Sequence, residues 1–166
     1  MVNPLPTSGP GDGIYPGGYT VTATNRTGGA VAKNDIVMFD LAQSATEVDN
    51  SIPGSSDAAG NNSGLNNFVD PATAQIKFGI FGVVLEDGGI ADDASGEIGI
   101  VGTFDVNTVA TIIAGDAVCP ANGSNQGVED TGSTGAKIIA IGREAASSNV
   151  TSCLFDGWHG FGADAG

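Results

Sequence analysis

From Gly18 the chain alternates. Tyr19, Val21 and Ala23 fall on one side and Thr20, Thr22 and Thr24 on the other, which is the two-residue period of a half-buried strand. After Thr27-Gly28-Gly29 a second apolar stretch runs from Val31 to Leu41, interrupted by Asn34-Asp35. Patterning resumes at Gln75, where Ile76, Phe78 and Ile80 alternate with Lys77, Gly79 and Phe81. It runs on through Val83, Val84 and Leu85 to the turn Glu86-Asp87-Gly88-Gly89. Ile98, Ile100 and Phe104 mark another strand, broken by Gly99 and Gly102, glycines of the kind that mark bulges or close backbone approach. Further strands are expected at Val109–Ala114, Asp116–Cys119, Lys137–Arg143 and Val150–Phe155. About eight short strands separated by Gly, Asn and Asp turns predict an all-β fold, a small β-barrel or β-sandwich of β-tulip or jelly-roll type.

Three segments frame or interrupt this domain, which spans residues 18–156. Residues 1–17 hold four of the seven prolines and four glycines, so they read as an extended N-terminal arm. Residues 43–74 are rich in Asn, Ser and Gly and read as a long loop excursion rather than core, pinned locally by Leu65, Phe68 and Val69. Residues 157–166 read as a glycine-rich C-terminal tail. An internal echo runs through the domain. Val31-Ala32-Lys33-Asn34-Asp35-Ile36-Val37 parallels Ile112-Ile113-Ala114-Gly115-Asp116-Ala117-Val118, an apolar entry and a tight turn closed by Asp. Each copy is followed later by a strand with a central glycine, Phe81-Gly82-Val83 and Ile141-Gly142-Arg143. The echo points to duplication or pseudo-symmetry.

Composition narrows the partners. The 166 residues make about one domain, and nineteen Asp+Glu against five Lys+Arg give a net charge of −14. Arg26, Lys33, Lys77, Lys137 and Arg143 are scattered, so no basic patch exists for phosphates, and neither nucleic acid nor an anionic membrane surface is an expected partner. No window approaches 18 uninterrupted apolar residues. The start, Met1-Val2-Asn3-Pro4-Leu5-Pro6, lacks the basic and apolar regions of a signal peptide. Cys119 and Cys153 lie in apolar, strand-like runs and read as buried free thiols rather than a bridge.

The search for reactive chemistry yields no catalytic, cofactor or metal site. The single histidine, His159, sits in the tail and reads as solvent-facing or interfacial. Glu86-Asp87, Asp92-Asp93 and Glu97 surround one glycine-rich turn, where solvent keeps them ionised, and their spacing misses that of a calcium loop. They read as a solvated acidic rim. Two cysteines and one histidine cannot complete a zinc site without carboxylates. The chain is therefore expected not to be an enzyme. What stands out is Ile14 and Tyr15 on the arm and Trp158 and Phe161 on the tail, large apolar side chains suited to anchoring on a partner.

From about Gly29 to Phe155 the chain resembles the small capsid decoration (cement, head-stabilising) proteins of tailed bacteriophages. The resemblance rests on an ordered series of phrases. They are Gly29-Ala30-Val31-Ala32-Lys33-Asn34-Asp35-Ile36-Val37, Phe81-Gly82-Val83-Val84-Leu85-Glu86-Asp87 and Gly96-Glu97-Ile98-Gly99-Ile100-Val101-Gly102-Thr103-Phe104. Ile113-Ala114-Gly115-Asp116-Ala117-Val118 and Ile141-Gly142-Arg143-Glu144-Ala145-Ala146 complete the series. Arg143-Glu144 replaces small apolar residues of that family, the 43–74 excursion is long for it, and the arm and tail lie outside the match. The resemblance implies a non-enzymatic β subunit, usually a homotrimer. Such a subunit binds the major capsid protein on the outer surface of an assembled head, as part of the virion, and stabilises it. The alternative is a glycan-binding, lectin-like or fibre module, which would share the β-rich, acidic, Asn- and Gly-laden composition.

Overall fold

The computed structural model describes residues 18–39, 67–71, 79–109, 111–121, 123–131 and 136–163. The described chain is all-β. Its strands are β1 (Tyr19–Asn25), β2 (Ile36–Phe39), β3 (Asn67–Val69), β4 (Phe81–Val84) and β5 (Ser95–Asn107), followed by β6 (Ala117–Pro120), β7 (Gly127–Glu129), β8 (Lys137–Ile138), β9 (Ala140–Gly142), β10 (Val150–Asp156) and β11 (Gly162–Ala163). Nine belong to one sheet, and β8 and β11 form a separate two-stranded pair.

The pairings close on themselves twice. β1 pairs with β3 in parallel, β3 with β2, β2 with β4 and β4 with β5 antiparallel, and β5 returns to β1. That circuit is a five-stranded barrel, whose odd strand number is accommodated by the single parallel contact. A second circuit runs β5–β10–β9–β6–β7 and is closed by a parallel bridge from Gly127 to Thr108, just beyond β5.

The two circuits are built alike, hydrogen bond by hydrogen bond. In the first, Asn34 N donates to Val84 O and Val84 N donates to Asp35 O. In the second, Gly115 N donates to Gly142 O and Gly142 N to Asp116 O. Arg26 N reaches Phe68 O as Val109 N reaches Gly127 O, and Asn25 N reaches Ala94 O as Thr108 N reaches Asn149 O. Register agrees: Ala23 faces Gly96 and Thr24 faces Ser95, while Val106 faces Thr151 and Asn107 faces Val150. The fold is thus internally pseudo-symmetric, and β5 serves both copies, closing the first with its N-terminal half and opening the second with its C-terminal half. The copies align differently from the sequence echo. Gly142 is equivalent to Val84, not to Gly82, because the carbonyl and amide that grip the turn are those of Val84.

Sharing also shapes the core. Val37 and Phe39 of β2 point into a cluster with Ala23, Val31, Phe68, Val84, Ile90, Ile98 and Ile100. Ile36 and Met38, on the opposite face of the same strand, join Phe81 and Val83 in a cluster with Val106, Ile112, Val118, Ile139, Cys153 and Phe155. A strand covered on both faces has no polar side, which is why β2 and β4 read as continuous apolar runs. β5 is continuous over 13 residues instead of breaking at Gly99 and Gly102. It bends so far that the Phe104 ring covers Gly99, where a Cβ would lie 2.5 Å from the ring, and Gly102 adopts a φ of 149°. Phe104 then meets Phe155 edge-on at 6.1 Å between centroids.

Other expectations change. The described residues of Val109–Ala114 form a turn, with Asp116 N bonded to Ile113 O, and no strand. Lys137–Arg143 is divided at Ile139 into β8 and β9. Of the 43–74 excursion only residues 67–71 are described, and Phe68 belongs to the core, fully buried, rather than to a loop. Burying one such ring contributes about 2–3 kcal/mol, so β3 is a structural strand. The arm, residues 1–17, lies outside the described residues.

Candidate docking face

The acidic rim is a network of surface links. Lys33 Nζ pairs with Asp87, Arg26 pairs with Asp93, Asp92 Oδ1 accepts from Gly28 N at 3.2 Å and Glu86 Oε2 accepts from Glu97 N at 3.4 Å. The Lys33 ammonium holds the Asp87 carboxyl below its usual range, and Asp87 in turn raises Lys33. Among the described residues no three His, Cys, Asp or Glu side chains converge as metal ligands. An open groove of about 370 Å³ lies beside the rim, lined by Thr20, Thr22, Ser95, Glu86 and Glu97. It offers hydroxyls and carboxylates but no aromatic ring.

Cys119 and Cys153 are both buried and not disulfide-bonded. Burial pushes the Cys153 thiol up to about 12, far from the thiolate that reactive chemistry needs. His159 is exposed, its backbone amide donates to Asp156 Oδ1 at 2.8 Å, and its Nδ1 lies 3.4 Å from Asp156 Oδ2.

The predicted anchors Trp158 and Phe161 are 40% and 41% exposed, and Tyr19, which the sequence reading did not single out, is 49% exposed. Together with Ile113 these are the large exposed hydrophobic side chains among the described residues. Register relates Tyr19 to the strand that leads into the tail, and Phe161 is placed by β8 through its N–H bond to Ile138 O. Val101 of β5 is paired with Tyr19 on β1 and with Asp156 on β10, and Trp158 follows Asp156 by two residues. Neighbouring strands lie about 5 Å apart, so Tyr19 and Asp156 sit about two strand spacings apart, on either side of β5. Ile14 and Tyr15 lie outside the described residues.

The tail is held by its own domain as far as Ala163. Gly157 is wedged into the barrel, its N–H donating to Ile100 O and its carbonyl accepting from Phe81 N. A Cβ there would lie 1.9 Å from Phe81 O, so only glycine fits. Beyond it β11 pairs with β8, and Lys137 of β8 aims its ammonium at three carbonyls: Gly79 (3.2 Å), Gly157 (3.1 Å) and Trp158. Lys137 is 8% exposed, and burial lowers its pKa against a smaller opposing effect of Asp156. The sequence carried one signal for it, a lone lysine inside the apolar run Ala136-Lys137-Ile138-Ile139-Ala140.

No protein-family model and no curated protein matches the chain. Among solved structures, the crystal structure of the N base of head fiber gp8.5 in bacteriophage phi29 aligns with a TM-score of 0.48 and 12% identity, covering 84% of this chain and 97% of that one.

Proposed function

We propose that the protein is a non-enzymatic structural component of a tailed-phage particle. In this reading it binds the major capsid protein on the outer surface of the assembled head and stabilises the shell as a homotrimer. The observation that carries the reading is the exposure of Tyr19 at the start of the described chain and of Trp158 and Phe161 in the tail, on a chain with a net charge of −14. Exposed aromatics at the base of two terminal segments suit anchoring on a partner, since apolar patches are otherwise kept small. An extended arm can then add main-chain hydrogen bonds along a neighbouring strand, and many such contacts around a lattice give avidity without one tight site. The phrases behind the family resemblance support the same reading. They fall on the two Asp turns, on β4 and its end, on β5, and on the end of β9.

The test is decoration. Purified protein mixed with undecorated heads from its own source should appear as ordered outer density and raise the temperature at which the heads open. Trp158→Ser with Phe161→Ser should weaken attachment while leaving the isolated fold intact. Heads that stay bare at saturating protein would reject the reading. The groove beside the acidic rim favours the second reading, a glycan-binding module. Calorimetric titration with neutral oligosaccharides should then give saturable heat that Glu97→Gln abolishes.

A further inference from the structure

The segment after Gly157 is attached in an unusual way. Trp158, His159 and Phe161 all expose their side chains, so none of the three is buried in either core cluster. What holds the segment is a short set of hydrogen bonds. Gly160 N donates to Asp156 O (3.0 Å), Phe161 N to Ile138 O (2.8 Å) and His159 N to Asp156 Oδ1 (2.8 Å), and two residues pair with β8. Elements with few buried apolar contacts and solvent-facing backbone bonds open first in a folded protein. Gly157, by contrast, is fixed on both sides by β4 and β5.

Lys137 is the exception among these weak ties. Its three N–H groups have three carbonyl partners, one on the chain entering β4, one on the hinge at Gly157 and one on the segment itself, at Trp158. The charged groups facing it are Asp156 of β10 and, through Asp156, His159. Of β6, the Cys119 thiol lies on the Ala136 side, 3.9 Å from Ala136 O. Opening the segment would strip a sheltered ammonium of the Trp158 acceptor, and bonds to charged groups are the stronger kind.

We propose that residues 158–163 are a strap that opens and closes independently of the barrel, hinged at Gly157, and that the Lys137 ammonium is its latch. When the strap is open, the edge of β8 at Lys137–Ile138 loses its β11 partner. The proposal stands on this geometry and does not depend on what the protein decorates.

Trp158 is the only tryptophan in the chain, so its fluorescence reports the strap directly. Lys137→Met removes the latch. Gly160→Ala strains the strap while keeping the ammonium, because Gly160 has a φ of 74° and a Cβ there would lie 2.7 Å from both Ile138 O and Lys137 Cε. Acrylamide quenching of Trp158 should rise roughly twofold in both variants, as its exposure goes from 40% towards complete. Their far-UV dichroism and barrel melting should stay those of the wild type. Unchanged quenching in a folded Lys137→Met would overturn the latch. Should that variant not fold, Gly160→Ala decides the strap. Loss of barrel dichroism in the same transition as the rise in quenching would show that strap and barrel are one unit, and the proposal would fail.

Discussion

Replacing Asp35 and Asp116 probes the two copies of the turn with the same chemistry. In each, a carboxylate oxygen accepts the backbone amide three residues upstream, that of Ala32 at 2.7 Å and that of Ile113 at 2.8 Å. Asp35 has a second bond, from Asn107 Nδ2 at 2.7 Å, which ties the first turn to the far end of β5. Losing a carboxylate that caps a backbone amide costs about 1 kcal/mol, so Asp116→Ala is expected to lose about that much. Asp35→Ala gives up two bonds to a charged acceptor and should lose about 2–3 kcal/mol. Each change also removes one negative charge from a chain carrying −14, which relieves self-repulsion and works in the opposite direction. Asparagine separates the two effects, because it removes the same charge and keeps one acceptor oxygen. Asp116→Asn should therefore behave like the wild type. Asp35→Asn should fall midway, since one of its two side-chain atoms becomes a donor facing a donor. Urea unfolding followed by dichroism, with midpoints compared at constant m, gives the differences. In a thermal scan each 1 kcal/mol corresponds to about 2–4 °C for a domain of this size. An Asp35→Ala variant no weaker than Asp116→Ala, or an Asp116→Asn variant as damaged as its alanine counterpart, would refute the reasoning.

Asn25 is fully buried, donates to Gly29 O and Ile90 O and accepts from both Thr27 N and Thr27 Oγ1. Asn25→Ala should therefore cost about 2–4 kcal/mol in the same urea assay, by stranding buried backbone groups. Neither Cys119 nor Cys153 should react with a thiol reagent near pH 8 in the native state, while both react after denaturation; fast native labelling of Cys153 would contradict its burial.

Much of the β content was legible because it depends on local pattern. The Tyr19–Thr24 alternation marks β1, and the Asp-closed turns announce β2 and β6, since a residue in the left-handed region, Asn34 at φ 70° or Gly115 at φ 96°, precedes each Asp. β3 and β7 were not legible, being three residues long, too short for a period to register. Phe68 sits among asparagines, and only closure of the first barrel makes it core. The two circuits depend on pairings such as Ala23 with Gly96 and Val106 with Thr151, contacts distant in sequence that no window contains. Among the exposed aromatics, Trp158 and Phe161 could be found by residue type. Tyr19 looked like an ordinary strand residue, and Lys137 needed the three carbonyls that the fold brings to it.

The pseudo-symmetry constrains how such a chain could have arisen. An ancestor of half the length would have left Ile36, Met38, Phe81 and Val83 without the Val106, Ile112, Val118 and Phe155 that cover them, so it could have been soluble only as a pair. Joined through β5, the two halves have a fixed stoichiometry and need not be identical. The connection between the second and third strands shows the divergence: it spans residues 40–66 in one half and 121–126 in the other. In such a molecule new surface can be acquired by one half while the other preserves the architecture, so natural variation should concentrate in the first half's connection and spare β5, which neither half can lose.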